Sequence, residues 1–337
     1  MPNSYIVYHQ VKPGVDCPDG IAAAWVATRS PRYRQAQLIG ASYGQPIALN
    51  PQPGDDILCV DFTPPHQTLI DWRKSGSHIT QIIDHHKTAW EQWQTGGLYN
   101  IADAIFDIDN FECGATLAWK VLFWDNGNSD KYPVPAFLEY VRKRDLWLDC
   151  DLFADPIPET LIIHEAMAAD RLDRKGDWVK LRAYYDALAS CDRDGLFNLL
   201  GDRGRALVEA KRETVKAIAD RHDWVPFLLP NETETMVPFV VLSAAEDRHL
   251  SDVGNYLVRT LDPPFVLIES SDGRWGLRSH NEGEDVGAIA KYYGGGGHRN
   301  ASGFDPQSSE KLAENSAYWL KTELETILSV FAEKAKA

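Results

Sequence analysis

The feature that most constrains this chain is a four-residue apolar run that stops on an acid: Ile57-Leu58-Cys59-Val60, then Asp61. A continuous apolar run of this length, with no polar alternation, marks a strand buried on both faces, and such strands belong to parallel sheets covered by helices. The surrounding pattern agrees. Tyr5 to Tyr8, Gln37 to Ala41 and Ile79 to Ile83 read as further strands. Ile21 to Thr28, Pro64 to Ser75, Cys113 to Trp124 and Ala136 to Arg144 read as helices. Strands alternating with helices predict an α/β domain with a parallel sheet.

The rest of the chain changes texture twice. Residues from about 158 to 222 read as helical and highly charged, and Asp223 to Asn231, with Pro226 and Pro230, reads as a domain boundary. Beyond it, Val237 to Leu242 is a predicted strand, Val253 to Leu261 a helix, and Phe265 to Glu269 and Trp275 to Leu277 flank a hairpin turn at Ser271-Asp272-Gly273. Val286 to Tyr293 and Leu312 to Ala335 are predicted helices. Three segments follow: an α/β domain over 1–155, a helical extension and connector over 156–225, and a smaller α/β domain over 226–337. At 337 residues, two domains are the natural expectation.

Charge and cysteines exclude several classes. With 34 Lys plus Arg against 49 Asp plus Glu, the net charge is −15, which argues against binding duplex DNA or an anionic membrane surface. The five cysteines are widely spaced and form no C-x-x-C, so a disulfide framework or structural zinc site is not expected, and a cytoplasmic location fits. Met1 to Gln10 lacks the pattern of a secretory leader, and no apolar stretch is long enough to span a membrane.

The residues that could carry chemistry share one position type. His9 follows the first strand, Asp61 the second apolar run, and Asp84-His85-His86 follows Ile82-Ile83. In an open parallel sheet the ligand crevice lies beyond the carboxyl ends of the strands, so these elements project Asp and His into one crevice. Asp16 and Asp19 lie in the loop after the first strand. Alone, each has an ordinary reading: Asp61 as a cap or turn residue, His9 as packing. Three adjacent polar groups at a sheet edge have no packing role, and the joint pattern points to a metal site. Carboxylates with imidazoles suit Mn2+, Mg2+ or Fe2+ better than zinc, and a carboxylate shared by two such ions is a phosphoryl-transfer arrangement. The second informative stretch is Gly294-Gly295-Gly296-Gly297-His298. Four glycines cost ordering entropy, and the expected return is backbone N–H groups that approach an anion closely, with Arg278, His298 and Arg299 as charged donors.

Together, Asp84-His85-His86 and Gly294 to His298 resemble the DHH–DHHA1 phosphoesterase superfamily, in particular its nanoRNase and oligoribonuclease-like members. Cys17-Pro18-Asp19-Gly20, Val60-Asp61-Phe62, Arg144-Asp145-Leu146-Trp147, and Leu277-Arg278-Ser279 followed by Asp285 to Ala290 resemble its other motifs. The resemblance implies a two-ion site, usually manganese, in a cleft between the domains. His9 and Asp16 would hold one ion, Asp19, His85 and Asp145 the other, and Asp61 would bridge them. His86 would face the scissile phosphate, with Asp84 orienting an imidazole, and an activated hydroxide would attack phosphorus. Arg278, Ser279, Gly295, Gly296, Gly297 and His298 would bind the substrate. The chain departs from the family in one place: counting back from Gly20 puts Cys17, not Asp16, in the register of the first aspartate, so that either a bulged loop lets Asp16 bind, or Cys17 binds instead, or the first ion is held weakly.

The implied activity is a metal-dependent phosphodiesterase acting on short oligonucleotides, linear or cyclic dinucleotides, or 3′-phosphoadenosine 5′-phosphate. A homodimer is compatible with this reading. The alternatives are polyphosphate or pyrophosphate hydrolysis, and a non-catalytic nucleotide sensor.

Overall fold

The computed structural model describes residues 2–97, 101–109, 111–124 and 131–314. The chain divides into two compact units, Met1–Val208 and Glu209–Ala337.

The first unit begins with β1 (Ser4–Lys12), β2 (Val15–Asp16), α1 (Pro18–Arg29), β3 (Gln37–Ala41), β4 (Asp56–Val60), α2 (His66–Lys74), β5 (His78–Asp84), α3 (Lys87–Gly96) and β6 (Ala104–Phe106). It continues with α4 (Gly114–Phe123), α5 (Ala136–Asp145), α6 (Glu159–Leu172), α7 (Trp178–Leu188) and most of α8 (Arg193–Ala219). β1 pairs in parallel with β3 on one side and β4 on the other; β5 and β6 continue the parallel sheet, and among the described residues only β2 is antiparallel. The predicted α/β class is what the chain forms. Strand alternation divides two cores. Ile6, Leu58, Val60 and Ile83 face α1, α4 and α5, whereas Val7, Ile57, Cys59 and Ile82 face Leu69 and Trp72 of α2 and Trp93 of α3. Hence the whole run Ile57–Val60 is apolar: all four residues are fully buried.

α1 is covered on nearly every side, which explains its alanines. Its Trp25 lies against Trp119, Phe137 and Tyr185. Tyr185 of α7 and Ile163, Ala166 and Met167 of α6 belong to this same core.

The second unit contains β7 (Asp223–Leu228), β8 (Glu234–Val241), α9 (Leu250–Leu261), β9 (Val266–Glu269), β10 (Trp275–Arg278), α10 (Val286–Tyr292), β11 (Gly296–His298), β12 (Ala301–Phe304) and α11 (Glu310–Glu314). Its sheet runs β11-β12-β10-β9-β8-β7, antiparallel except for β8 with β9. Phe227, Phe265, Tyr293 and Phe304 fill its core. One expectation is corrected here: Asp223 to Asn231 is not a plain boundary, because Asp223–Leu228 is β7. Its Pro226 is tolerated because β7 is the edge strand, where a missing N–H leaves no ladder bond unmade. The helix expected over Leu312 to Ala335 lies outside the described residues from 315 onward.

Candidate metal centre

The sheet delivers the site through the carboxyl ends of adjacent strands. His9 is in β1, Asp61 follows β4 directly, and Asp84 ends β5. Asp61 takes a left-handed backbone (φ 54°) while its N–H donates to the carbonyl of Ile83 at 2.8 Å. That conformation is unfavourable for a residue with a Cβ and is held only where the surroundings impose it. It turns the Asp61 carboxylate into the middle of two groups of ligand-type atoms: His9, Asp61 and His86, and Asp19, Asp61 and His85, each within 4.8 Å of one another. His9 Nδ1 is 3.6 Å from Asp61 Oδ2, and His85 Nε2 is 3.2 Å from Asp61 Oδ1. The same His85 nitrogen lies 3.6 Å from Asp19 Oδ2 and 3.5 Å from Asp145 Oδ2.

Asp61 is 1% exposed, yet neither of its oxygens has a hydrogen-bond partner, and His9 Nδ1 is likewise buried without one. The Asp61 charge is balanced by the imidazoles crowded around it, in contacts that fall short of hydrogen-bond geometry, and a buried carboxylate paired so incompletely carries a cost that a bound cation would relieve. The oxygen and imidazole donors fit a divalent cation of the Mn2+, Mg2+ or Fe2+ type on each side of Asp61.

The electrostatics are those of crowded acids around histidines. Burial, with the charges of Asp61 and Asp145, pushes the Asp19 carboxyl well above its ordinary range, and burial chiefly raises Asp145. Burial would raise Asp61 as well, but the imidazoles of His85, His9 and His86 outweigh it and hold its carboxyl far below the usual range. Burial works against protonation of His85, but Asp61, then Asp19 and Asp145, lift it to about 10. His86, similarly opposed by burial, is lifted to about 9 by Asp84 and Asp61.

A second layer fixes the donors. Both oxygens of Asp19 accept backbone N–H groups at the start of α4, from Gly114 at 2.6 Å and Ala115 at 2.8 Å, where the helix terminus favours an anion. Asp84 is fully buried and saturated. Its Oδ1 accepts the backbone N–H groups of His85 (2.8 Å) and His86 (3.1 Å) and pairs with His86 Nδ1 at 2.7 Å. Its Oδ2 accepts the hydroxyls of Thr63 (2.6 Å) and Tyr43 (3.4 Å). His86 Nδ1 is therefore committed to Asp84, leaving Nε2 for other work. Gly114 completes the wall: a Cβ there would lie 2.5 Å from Asp61 Cβ and 2.6 Å from its Oδ1. We expect Gly114→Ala to leave the fold cooperative but to displace Asp61 and weaken Mn2+ binding about tenfold or more, on the scale of lost ligand support. Calorimetric titration checks this; unchanged affinity contradicts the packing argument.

Of the residues singled out from sequence, the structure brings His9, Asp19, Asp61, His85, His86 and Asp145 together, with Asp84 behind them. Asp16 goes elsewhere: its Oδ1 accepts the Tyr8 hydroxyl at 2.9 Å and Gln10 Nε2 at 2.7 Å, and it joins neither group. The β1–β2 hairpin causes this, because it pairs Gln10 with Asp16. Cys17 also stands outside both groups; burial, with Asp61, Asp19 and Asp145 nearby, raises its thiol. Sequence reading missed Thr63, Tyr43 and Gly114, whose roles arise from contacts with Asp84 and Asp61 far away along the chain.

In the second unit, taken by itself, the strand register places Arg278, Ala301 and His298 in one row across β10, β12 and β11. The Arg278 guanidinium is turned inward onto the carbonyls of Leu277 (2.8 Å) and Ser302 (3.4 Å) and the hydroxyl of Ser251 (2.9 Å), and burial lowers it to about 10. The Ser279 hydroxyl is spent on the carbonyl of Glu284 at 2.8 Å. Gly295, Gly296, Gly297 and His298 are exposed or border on exposed backbone in the turn and strand that follow α10. At Gly295 the glycine also answers a packing need, and its N–H is not free for an anion: it donates to the Ala290 carbonyl at 2.7 Å, and a Cβ would meet the Gly303 carbonyl at 2.2 Å.

No family model matches the chain. Among curated proteins it is similar to the uncharacterized protein R106 of Acanthamoeba polyphaga mimivirus, 25% identical over 256 residues, covering 74% of this chain and 52% of that one. The chain thus spans about half the length of the curated relative it matches. Among solved structures it is similar to RecJ in complex with Mn2+ from Thermus thermophilus (15% identity, TM-score 0.49, 96% of this chain and 52% of that one). It is also similar to the pGpG-specific phosphodiesterase PggH from Vibrio cholerae (14%, 0.41, 97% and 99%) and to an uncharacterized protein from Helicobacter pylori (18%, 0.36, 90% and 93%).

Proposed function

We propose that this protein is a metal-dependent phosphoester hydrolase acting on short nucleotides: oligoribonucleotides of a few residues, linear or cyclic dinucleotides, or 3′-phosphoadenosine 5′-phosphate. The observation that carries the reading is Asp61, whose two buried oxygens have no hydrogen-bond donor and are shared between two ligand groups. Imidazoles crowd these oxygens without meeting hydrogen-bond geometry, an arrangement that divalent cations would complete.

In this reading Asp61 would help hold two ions, His9 would help hold one of them, and Asp19, His85 and Asp145 the other. Such ions polarise a phosphoryl oxygen and lower the pKa of water, which is the chemistry phosphoester hydrolysis needs. The chain's own residues do the rest. Asp84 holds His86 by its Nδ1 and so fixes where Nε2 points. His86 then faces the substrate phosphate and stabilises charge gathering there. In the second unit, taken by itself, His298 and the exposed backbone of Gly296 and Gly297 would offer contacts for an anionic group, with Arg278 adding positive potential in the same strand row. The net charge of −15 suits a short ligand gripped at few points better than a long polyanion.

The test is a screen of di- to pentanucleotides, cyclic dinucleotides, 3′-phosphoadenosine 5′-phosphate and polyphosphate with Mn2+, products being identified. Mononucleotide or inorganic phosphate released from a nucleotide, and lost on chelation, is the expected result. Turnover of polyphosphate alone, or of nothing, overturns the substrate class.

A further inference from the structure

We propose that Tyr43 is a stacking platform for a nucleobase of the substrate, so that the site selects base-bearing phosphoesters over bare polyphosphate. The inference rests on the hydrolase reading above and adds a specificity residue to it. Tyr43 follows β3 in a turn closed by the Gln45 N–H on the Ser42 carbonyl at 3.2 Å. Its ring centroid lies 5.4 Å from that of His9, 5.6 Å from His86 and 4.8 Å from Phe62, the buried residue next to Asp61. Three rings therefore hold it against the ligand cluster, yet Tyr43 remains 42% exposed. An aromatic residue held in place and partly exposed beside the ligand cluster is preorganised for a flat partner, because little side-chain entropy is left to lose on binding.

The hydroxyl does not account for the residue. It reaches Asp84 Oδ2 at 3.4 Å, while Thr63 already donates to that oxygen at 2.6 Å. What Tyr43 adds is an aromatic surface next to where the phosphate would lie. Every base has a π-face, so stacking favours nucleotides in general and discriminates weakly among bases.

The experiment compares a dinucleotide with its doubly abasic counterpart in Mn2+, for the wild-type chain, Tyr43→Leu and Tyr43→Phe. The expected result is a fall in kcat/KM for the dinucleotide in Tyr43→Leu that exceeds the fall for the abasic substrate by about tenfold, carried mainly by KM, with most of the loss recovered in Tyr43→Phe. Equal losses on both substrates, or none, overturn the platform and leave the hydrolase reading standing. A wild-type chain inert towards both substrates overturns that reading, and the platform with it.

Discussion

Asp61→Asn is expected to reduce metal-dependent turnover by about a thousandfold or more while the chain still folds, because ions that stabilise phosphoryl transfer contribute several kcal/mol. Asparagine is the informative replacement. It keeps the side-chain volume against Gly114 and tolerates the left-handed backbone at φ 54°, where alanine would add about 1–2 kcal/mol of strain. It has one carbonyl oxygen and one NH2 group where the carboxylate had two oxygens, so it cannot serve both ligand groups. Turnover is read with Mn2+ in excess, and far-ultraviolet circular dichroism reports the fold. Hydrolysis within about tenfold of wild type would place the chemistry elsewhere in the molecule.

The second large effect concerns pH and metal together. In the metal-free protein His85 is raised to about 10 and His86 to about 9, both above the ordinary 6.5. Their contribution to stability is fully present below about 6.5 and is lost as pH rises through about 9 to 10. Asp19 and Asp145, also raised, contribute stability only in the acid range and lose it as pH climbs above the usual carboxylate range, so at neutral pH they already weigh against the fold. The chelated protein should therefore lose Tm between pH 6.5 and 10. Bound cations reverse both effects: they need deprotonated ligands and neutralise the acids. Mn2+ at about a hundredfold excess over its Kd should raise Tm by about 5–10 °C, and the gap to the chelated protein should widen from pH 6.5 to 9. A gap that narrows over that range contradicts the assignment of His85 as a ligand.

How far the site could be read from sequence follows from how local each cause is. The ends of β4 and β5 were legible because strand burial and the polar residues just beyond belong to one stretch of chain: Val60 then Asp61, Ile83 then Asp84. The site's supports were not. Thr63 and Tyr43 matter only because β3, β1, β4 and β5 lie in that order and end at one edge of the parallel sheet, and Gly114 only because the start of α4 comes against Asp61. Asp16 misled because its acidity was visible whereas the β1–β2 hairpin that ties it to Tyr8 and Gln10 was not. Pro226 misled differently: proline argues against an interior strand, but β7 is at the edge.

The most direct measurement is anomalous diffraction from a crystal of the protein soaked in manganese. The account predicts two peaks about 3.5–4 Å apart with the Asp61 carboxylate between them, one beside His9 and the other beside Asp19 and His85. A soaked crystal with no peak in contact with Asp61, or with a single ion on surface carboxylates away from His9 and His85, contradicts it.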